Sequence, residues 1–168
     1  MIYISLIASI FLLVSICQND RTKSLKISSL HNLTEALYNF LINAHTAAFL
    51  GIINFVRTIL FAYKNSFQKK FYFALLILFE IIIIWNCFYT WNGYISLFPT
   101  CESMIKVLCI WQSKMKLIRV SGIITGALYS IYYSFYGSWI LLFAYIILFI
   151  VSTMAIYTND LKKDVSII

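Results

Sequence analysis

Long apolar runs alternate along the chain with short polar segments. A helix needs about 20 mostly apolar residues to cross a bilayer. On that measure the pattern predicts seven membrane-spanning helices, at residues 2–18, 27–44, 46–63, 69–89, 94–113, 118–135 and 137–158. The core of the fourth, Phe71–Trp85, is apolar on every face apart from Glu80. The pattern therefore predicts an all-α membrane protein.

The second predicted span is the most polar of the set. Its polar residues are His31, Asn32, Thr34, Glu35, Asn39 and Asn43. Such a segment either lies on the membrane surface as an amphipathic helix or crosses with its polar face lining the protein interior. The charges favour crossing, because otherwise Lys64–Lys70 would lie on the opposite side of the membrane from Arg21–Lys26.

Basic segments alternate with segments that contain no Lys or Arg. The basic ones are Arg21–Lys26, Lys64–Lys70, Lys114–Arg119 and Lys162–Lys163. The segments without them are Asn43–His45, Tyr89–Tyr94 and Tyr136–Ser138. Lys and Arg are retained on the cytoplasmic side during insertion. The alternation predicts an N-terminus outside the membrane and a cytoplasmic C-terminus.

Composition agrees with a membrane protein rather than a soluble domain. The chain is 62% hydrophobic and 11% charged, with a mean hydropathy of +0.87. Its net charge of +7 lies at the ends of apolar runs, which indicates contact with anionic lipid and not with nucleic acid. Met1–Cys17 lacks the basic start of a signal peptide, so we interpret it as a retained first helix.

The chain contains a weak internal repeat. Ala36-Leu37-Tyr38 recurs as Ala127-Leu128-Tyr129, and each copy precedes a short turn and another apolar helix. The pattern predicts three-helix repeats at residues 1–64 and 93–168, with residues 65–92 as a linker helix that keeps the two repeats parallel. Parallel repeats are typical of some transporters, in which the substrate binds near the midplane between the copies.

Short motifs resemble a known family. Asn54-Phe55-Val56-Arg57-Thr58, Pro99 followed by Arg119, and Gly137-Ser138 are similar to motifs of the YgjV family of bacterial inner-membrane proteins. The similarity extends from Leu25 to about Tyr157. It implies a PQ-loop or SWEET-like fold of three, one and three helices, in a superfamily that moves sugars and other small solutes.

The chain departs from that superfamily at two motifs. PQ-loop proteins carry Pro-Gln in the first and fifth helices, whereas here Pro99 precedes Thr100 and the first helix has no proline. Pro99 is therefore the one candidate hinge. SWEET proteins place an Asn on the third and seventh helices; Asn54 fits the third, but its repeat mate is Tyr145.

Uncharged polar residues near mid-depth are the candidate substrate-binding groups. They are Tyr38, Asn39, Asn54, Tyr129, Tyr133 and Tyr145. Amide and phenol groups hydrogen-bond a polar solute while the rings supply apolar contact. The alternative is that Asn54 joins helices and that individual tyrosines pack or line the membrane interface.

Charged residues inside the spans need partners, since each costs about 2.5–3.5 kcal/mol at the bilayer centre. They are Glu35, Arg57, Glu80, Glu102 and Lys106. Glu102 and Lys106 are four residues apart and can pair on one helix face. We expect Arg57 to reach Glu35 or Glu80, or to extend toward the cytoplasm. Glu80 is either a protonated packing residue or a proton-coupling group.

The sequence predicts no metal, cofactor or enzymatic activity. His31 and His45 are assigned to opposite ends of the second span, the cysteines show no metal-ligand spacing, and no phosphate-binding loop or nucleophile motif occurs. We expect a small-solute transporter of the inner membrane, with any energy coupling at Glu35 or Glu80. The alternatives are a non-transporting, partner-docking membrane protein and a PnuC-type vitamin-precursor carrier. Homo-oligomerisation is left open.

Overall fold

The computed structural model describes residues 1–63, 69–112 and 114–161, and within them the chain is all-α as predicted. Seven α-helices follow one another, and a π-helical turn, Ile156–Leu161, continues the last. They are α1 (Ile2–Cys17), α2 (Arg21–Leu41), α3 (His45–Ala62), α4 (Lys69–Tyr89), α5 (Leu97–Trp111), α6 (Met115–Phe135) and α7 (Trp139–Ala155). The predicted basic residue Lys64 and the pair Lys162–Lys163 lie outside the described residues.

Two helices begin earlier than predicted, because basic residues form their first turns. α2 begins at Arg21 and α6 at Met115. Hydropathy excluded these residues from the spans, yet Lys and Arg are good helix formers. The Asp20 side chain caps α2 by accepting a hydrogen bond from the Lys23 backbone N–H at 2.9 Å. That hydrogen bond lowers the pKa of the Asp20 carboxyl below its ordinary value.

α5 begins later than predicted, at Leu97, and this changes the position of Pro99. The proline lies in the first turn of the helix instead of its interior. The backbone N–H that proline lacks has no intrahelical partner in a first turn, so the helix needs no break there. A hinge at Pro99 stays a prediction.

Four of the helical segments are long and apolar enough to cross a membrane within the described residues. They are His45–Ala62, Lys70–Tyr89, Gly93–Trp111 and Trp139–Thr158. The first helix, Ile2–Cys17, is apolar but shorter. α2 and α6 are less hydrophobic because one face of each carries polar groups.

α2 turns its polar face toward the protein. Its polar residues His31, Asn32 and Glu35 are buried, whereas its leucines are exposed: Leu30, Leu33, Leu37 and Leu41. A helix on a water-soluble protein has the opposite arrangement. The burial pattern supports the crossing interpretation over the surface helix, since a crossing helix exposes apolar groups to lipid and keeps polar groups inside.

The helices pack in a closed order. α1 contacts α2, α2 contacts α3, α3 contacts α5, α5 contacts α6, α6 contacts α7, and α7 returns to α1. α4 packs against α3 and α5. Small residues allow the closest approaches: a Cβ at Gly51 would lie 2.8 Å from Ala36 Cβ on α2, and one at Gly126 would lie 2.8 Å from the Phe149 backbone nitrogen on α7.

The connections between helices alternate between the two ends of the bundle. At one end, called the Ser138 end, the Thr46 hydroxyl donates to the Thr90 carbonyl at 2.7 Å, and Met1 and Ser138 line one groove. At the opposite end, called the Arg21 end, Arg21 donates to the carbonyls of Phe61 and Ile110 at 3.0 and 3.2 Å.

The basic segments Arg21–Lys26 and Lys114–Arg119 both reach the Arg21 end. Arg119, from the segment Lys114–Arg119, donates to Asn19 Oδ1 at 3.1 Å, and Asn19 is close in sequence to Arg21. The chain therefore brings together at one end of the bundle the segments that the charge pattern assigned to one side of the membrane.

Candidate functional site: a buried carboxylate, histidine and tyrosine cluster

Glu35 is held by side chains from three helices. His31 lies one turn before it on α2, with Nε2 3.4 Å from Glu35 Oε2. Tyr133 on α6 donates to Glu35 Oε1 at 2.8 Å, and the Tyr145 hydroxyl on α7 donates to the same oxygen. Glu35 is only 4% exposed. These contacts therefore replace the water that the carboxylate loses when it is buried.

A backbone carbonyl sets the orientation and tautomer of His31. Nδ1 lies 2.9 Å from the carbonyl oxygen of Ala8 on α1, while Nε2 lies 3.1 Å from the Tyr145 hydroxyl oxygen. A carbonyl oxygen only accepts hydrogen bonds, so Nδ1 must carry a hydrogen. The other ring nitrogen, Nε2, faces Glu35 and Tyr145.

Aromatic rings form one wall of this site. Tyr129 and Tyr145 stack with centroids 4.9 Å apart and an interplanar angle of 14°, and Tyr133 stacks on Tyr145 at 5.6 Å and 20°. The Tyr133 hydroxyl also donates to Asn39 Oδ1 at 3.0 Å. The name Glu35 cluster is used below for these residues: His31, Glu35, Asn39, Tyr129, Tyr133 and Tyr145.

Four predicted substrate-binding residues, Asn39, Tyr129, Tyr133 and Tyr145, thus lie together. The other two do not. Tyr38 shares a hydrogen bond with the Ser138 hydroxyl at the Ser138 end. Asn54 lies on α3 and donates to Ser103 Oγ on α5 at 3.0 Å.

A second buried polar cluster joins α3, α5 and α6. Glu102 pairs with Lys106 at 3.1 Å and accepts a hydrogen bond from the Thr125 hydroxyl at 2.6 Å. The Ser103 hydroxyl donates to the other Glu102 oxygen at 3.3 Å. The pairing between Glu102 and Lys106 follows from their spacing on one helix and agrees with the sequence interpretation. This group, with Asn54 and Arg57, is called the Glu102 cluster.

Arg57 belongs to the Glu102 cluster, whereas the sequence predicted that it would reach Glu35 or Glu80 or extend toward the cytoplasm. Its Nη1 donates to the Ser103 carbonyl at 2.9 Å, and the side chain is 0% exposed, so it does not extend toward the cytoplasm. The reason is the packing of α3 on α5, which turns Arg57 inward. The carboxylates of Glu102 and Glu80 attract the Arg57 charge, whereas Glu35 is paired with His31 instead.

Tyr129 is the member of the Glu35 cluster that also interacts with the Glu102 cluster. Its ring stacks on Tyr145, and its hydroxyl lies in the fields of both Glu35 and Glu102. Beyond Lys106, toward the Arg21 end, is a cavity of about 40 Å³. Its polar lining is Ser15, Ser24, Ser28, Lys106, Ser121 and Thr125. Polar side chains thus continue through the bundle from Tyr38 to this cavity.

Sequence reasoning missed His31. The sequence placed it near one end of the second span, with His45 at the opposite end, but His31 lies in the middle of α2 and His45 begins α3. The available signal was its spacing of four residues from Glu35, which places both on one helix face. Among the described residues no group of three or more His, Cys, Asp or Glu side chains is arranged to hold a metal ion.

A family model described as "Imp-YgjV: Bacterial inner membrane protein" matches residues 2–163. The chain belongs to this family. Membership confirms the resemblance drawn from the short motifs and identifies this Imp-YgjV protein as a bacterial inner membrane protein. A search of curated proteins and a search of solved structures each found no match. The chemistry of the Imp-YgjV site is consequently argued from its own residues.

Proposed function

We propose that this Imp-YgjV protein is a small-solute transporter that works by alternating access. In this proposal α1–α3 and α5–α7 are two parallel three-helix units, α4 is the linker between them, and a polar solute such as a sugar binds where the units meet. No catalytic reaction is part of the proposal.

The helix contacts support two equivalent units. α2 packs between α1 and α3, and α6 packs between α5 and α7. The contact of α1 with α7 has its counterpart in the contact of α5 with α3. These are the contacts expected if a two-fold rotation related the first unit to the second, as in transporters built from parallel repeats.

The observation that carries the proposal is the composition of the Glu35 cluster. One unit supplies His31, Glu35 and Asn39 from α2, and the other supplies tyrosines from α6 and α7. Carboxylate, amide and phenol groups beside stacked rings match a solute that has several hydroxyl or amide groups and an apolar face. Counting 1.5 Å per helical residue, Glu35 lies about 9 Å from the Ser138 end of α2.

Contacts at both ends close the route to this cluster. At the Ser138 end Tyr38 on α2 is hydrogen-bonded to Ser138, just before α7. At the Arg21 end Arg119 on α6 is hydrogen-bonded to Asn19, just before α2. Each contact links one unit with the other, so rocking the units apart at one end at a time would expose the cluster alternately to the two sides.

The orientation follows from the charges. The Arg21 end carries the basic segments, so it faces the cytoplasm in this proposal, and the N-terminus and the Ser138 end face outward. Opening at the Ser138 end would then admit solute from outside.

A ligand screen on the purified protein tests the proposal. We expect at least one sugar, polyol or vitamin precursor in a broad panel to raise the melting temperature and to be taken up by proteoliposomes. Asn39→Ala should weaken binding at least about tenfold, since it removes a hydrogen-bonding group from the site. Trp139→Phe is the matched control: Trp139 is 65% exposed at the start of α7, and uptake should persist.

Cysteines substituted for Asn54 and Tyr145 give an independent reading. A transporter should expose position 145 to water-soluble reagents from at least one side of the membrane during its cycle. Absence of labelling from both sides, with no ligand in the panel that stabilises the protein, would favour a non-transporting membrane component whose buried charges hold helices or dock a partner. Selective uptake of a vitamin precursor would favour the PnuC-type carrier.

A further inference from the structure

The hydrogen atoms of the Glu35 cluster can be counted from its contacts. The Tyr145 hydroxyl has one hydrogen, which it donates to Glu35. Its oxygen then acts as an acceptor toward His31 Nε2, 3.1 Å away, and Glu35 Oε2 is an acceptor 3.4 Å from the same nitrogen. Two acceptors facing Nε2 call for a hydrogen on it. In this first arrangement Nδ1 carries its own hydrogen toward the Ala8 carbonyl, so His31 would be an imidazolium paired with a carboxylate.

A second arrangement uses the same contacts and the same number of protons. If the Nε2 hydrogen passes to Tyr145 while the Tyr145 hydrogen passes to Glu35, both His31 and Glu35 become neutral. Tyr145 can then donate to Nε2 and accept from the protonated carboxyl. No bond other than these O–H and N–H bonds forms or breaks, and the net charge of the cluster stays zero.

We propose that His31, Glu35 and Tyr145 form a proton-binding site that holds one transferable proton while the site is closed and exchanges it with water only when α2 separates from α7. Adding a proton would leave a net positive charge, and removing one a net negative charge, among side chains that are 4% exposed or less. An uncompensated charge is costly inside a membrane protein, so either change needs water to enter.

Among the described residues packed around the site there is no other base placed to take this proton. α1 contributes the Ala8 carbonyl and α6 contributes the phenols of Tyr129, Tyr132 and Tyr133. The cation on α3, Arg57, is close to Glu102 of α5 and attracted by it. Lys106 is likewise paired with Glu102. Arg57 is also attracted by Glu80, so two carboxylates, Glu102 and Glu80, face these two cations without Glu35.

The link to transport rests on the proposed function. If the two units separate to admit solute, α2 moves away from Tyr133 and Tyr145, and the Glu35 cluster loses the contacts that retain its proton. Solute passage would then be accompanied by proton exchange on the side that opens. Glu80 is the other candidate for coupling solute movement to protons. Its Oε2 atom accepts no hydrogen bond among the described residues.

Nitrogen-15 NMR of labelled histidine tests the proton site without any transport measurement. The chain has 2 histidines, so His45→Gln leaves His31 as the sole labelled residue. At neutral pH we expect Nδ1 to be protonated and Nε2 to report the shared proton. Glu35→Gln should lower the ratio of imidazolium to neutral imidazole at least about tenfold, because it removes the opposite charge.

Two further variants keep the test decisive. Tyr145→Phe retains the ring stack and removes only the bridging hydroxyl, so it can replace Glu35→Gln if that variant fails to fold. It should lower the ratio of imidazolium to neutral imidazole by less than Glu35→Gln does. Glu80→Gln, the matched control on α4, should leave the His31 spectrum unchanged. The proposal is overturned if neither cluster variant changes the ratio, or if Glu80→Gln changes it equally.

The two proposals fail in distinguishable ways. In one outcome, the protonation of His31 depends on Glu35 but the protein neither binds nor transports any solute of the panel. That result would support the proton site and contradict the transporter proposal. In the other outcome, the protein takes up a solute but the His31 spectrum does not change in the Glu35 and Tyr145 variants. That result would contradict the proton site and support the transporter proposal. If both hold, adding the solute should release or take up protons, measurable with a pH-sensitive dye.

Discussion

The Tyr145 hydroxyl shows how much of this site depends on single atoms. It donates to Glu35 and lies within hydrogen-bond distance of His31, so one oxygen connects an acid and a base on α2 to helix α7. The Tyr145 ring meanwhile stacks on Tyr129 and Tyr133. The ring holds the hydroxyl in place, and in the proposed proton site the hydroxyl is the group through which the proton passes between His31 and Glu35.

Tyr38 offers a residue-scale prediction about the closed end. Tyr38→Phe removes its hydrogen bond to Ser138 and leaves the Ser138 hydroxyl, 5% exposed at the residue level, without that partner. We expect a loss of about 1–3 kcal/mol in the free energy of unfolding. Thermal unfolding of the purified protein measures it.

The control for Tyr38 is Tyr94→Phe, since Tyr94 is 83% exposed. That change should alter stability little. If both variants unfold at the wild-type temperature, the Tyr38–Ser138 contact does not hold the Ser138 end closed.

At the scale of helices, α2 and α6 are the elements that make a polar interior compatible with a membrane. Each is weakly hydrophobic, and α2 packs between α1 and α3 while α6 packs between α5 and α7. α2 gains its stability from partners on both sides, because isolated helices of this composition would expose His31 and Glu35 to lipid. Close packing of small residues, such as Gly51 against Ala36, brings α3 near enough to cover α2.

Gly126 tests the close contact between α6 and α7. A Cβ there would lie 2.8 Å from both the Cβ and the backbone nitrogen of Phe149, and backbone cannot rotate away as a side chain can. We expect Gly126→Ala to cost about 1–3 kcal/mol in the free energy of unfolding, through overpacking. Denaturant or thermal unfolding in detergent provides the measurement.

Ala127→Leu is the control for Gly126, because Ala127 is exposed on the same helix. It adds more volume where there is room and should be tolerated. An unaltered stability of Gly126→Ala would mean that α6 and α7 do not pack this closely.

For the whole molecule, the decisive arrangement is the alternation of helix connections between two ends. It places the basic segments Arg21–Lys26 and Lys114–Arg119 at the Arg21 end and the Asn43, Thr90 and Ser138 turns at the other. Lipid-facing surfaces agree with a bundle surrounded by membrane, since the large apolar side chains Trp85 and Phe88 of α4 are 72% and 77% exposed.

Reporter fusions test this topology. We expect a reporter fused after Lys64 to be cytoplasmic and one fused after Asn92 to be periplasmic, because Lys and Arg are retained inside. A fusion at Cys17 serves as the cytoplasmic reference, and one at Asn43 should be periplasmic because α2 crosses. A periplasmic reporter after Lys64 would mean that α2 does not cross, and the pairing of two parallel units would fail with it.

The sequence by itself determined what depends on neighbours along the chain. Helix number, approximate spans and the Glu102–Lys106 pair follow from composition and spacing, because hydrophobicity and i,i+4 geometry are local properties. Sequence also selected Asn39, Tyr129, Tyr133 and Tyr145 as polar groups at similar depth. The first turns of α2 and α6 were missed because a hydropathy criterion excludes basic residues from a membrane span, even where they are helical.

Only the tertiary structure decided which helix faces meet. His31 became part of the site because α2 is rotated so that its polar face meets α1, α6 and α7, and Arg57 was directed to Ser103 because α3 packs on α5. Rotation about a helix axis is set by contacts between residues far apart in sequence. Those contacts leave Asn54 beside Ser103 and its repeat mate Tyr145 beside Glu35, although the sequence treated the two positions as equivalent.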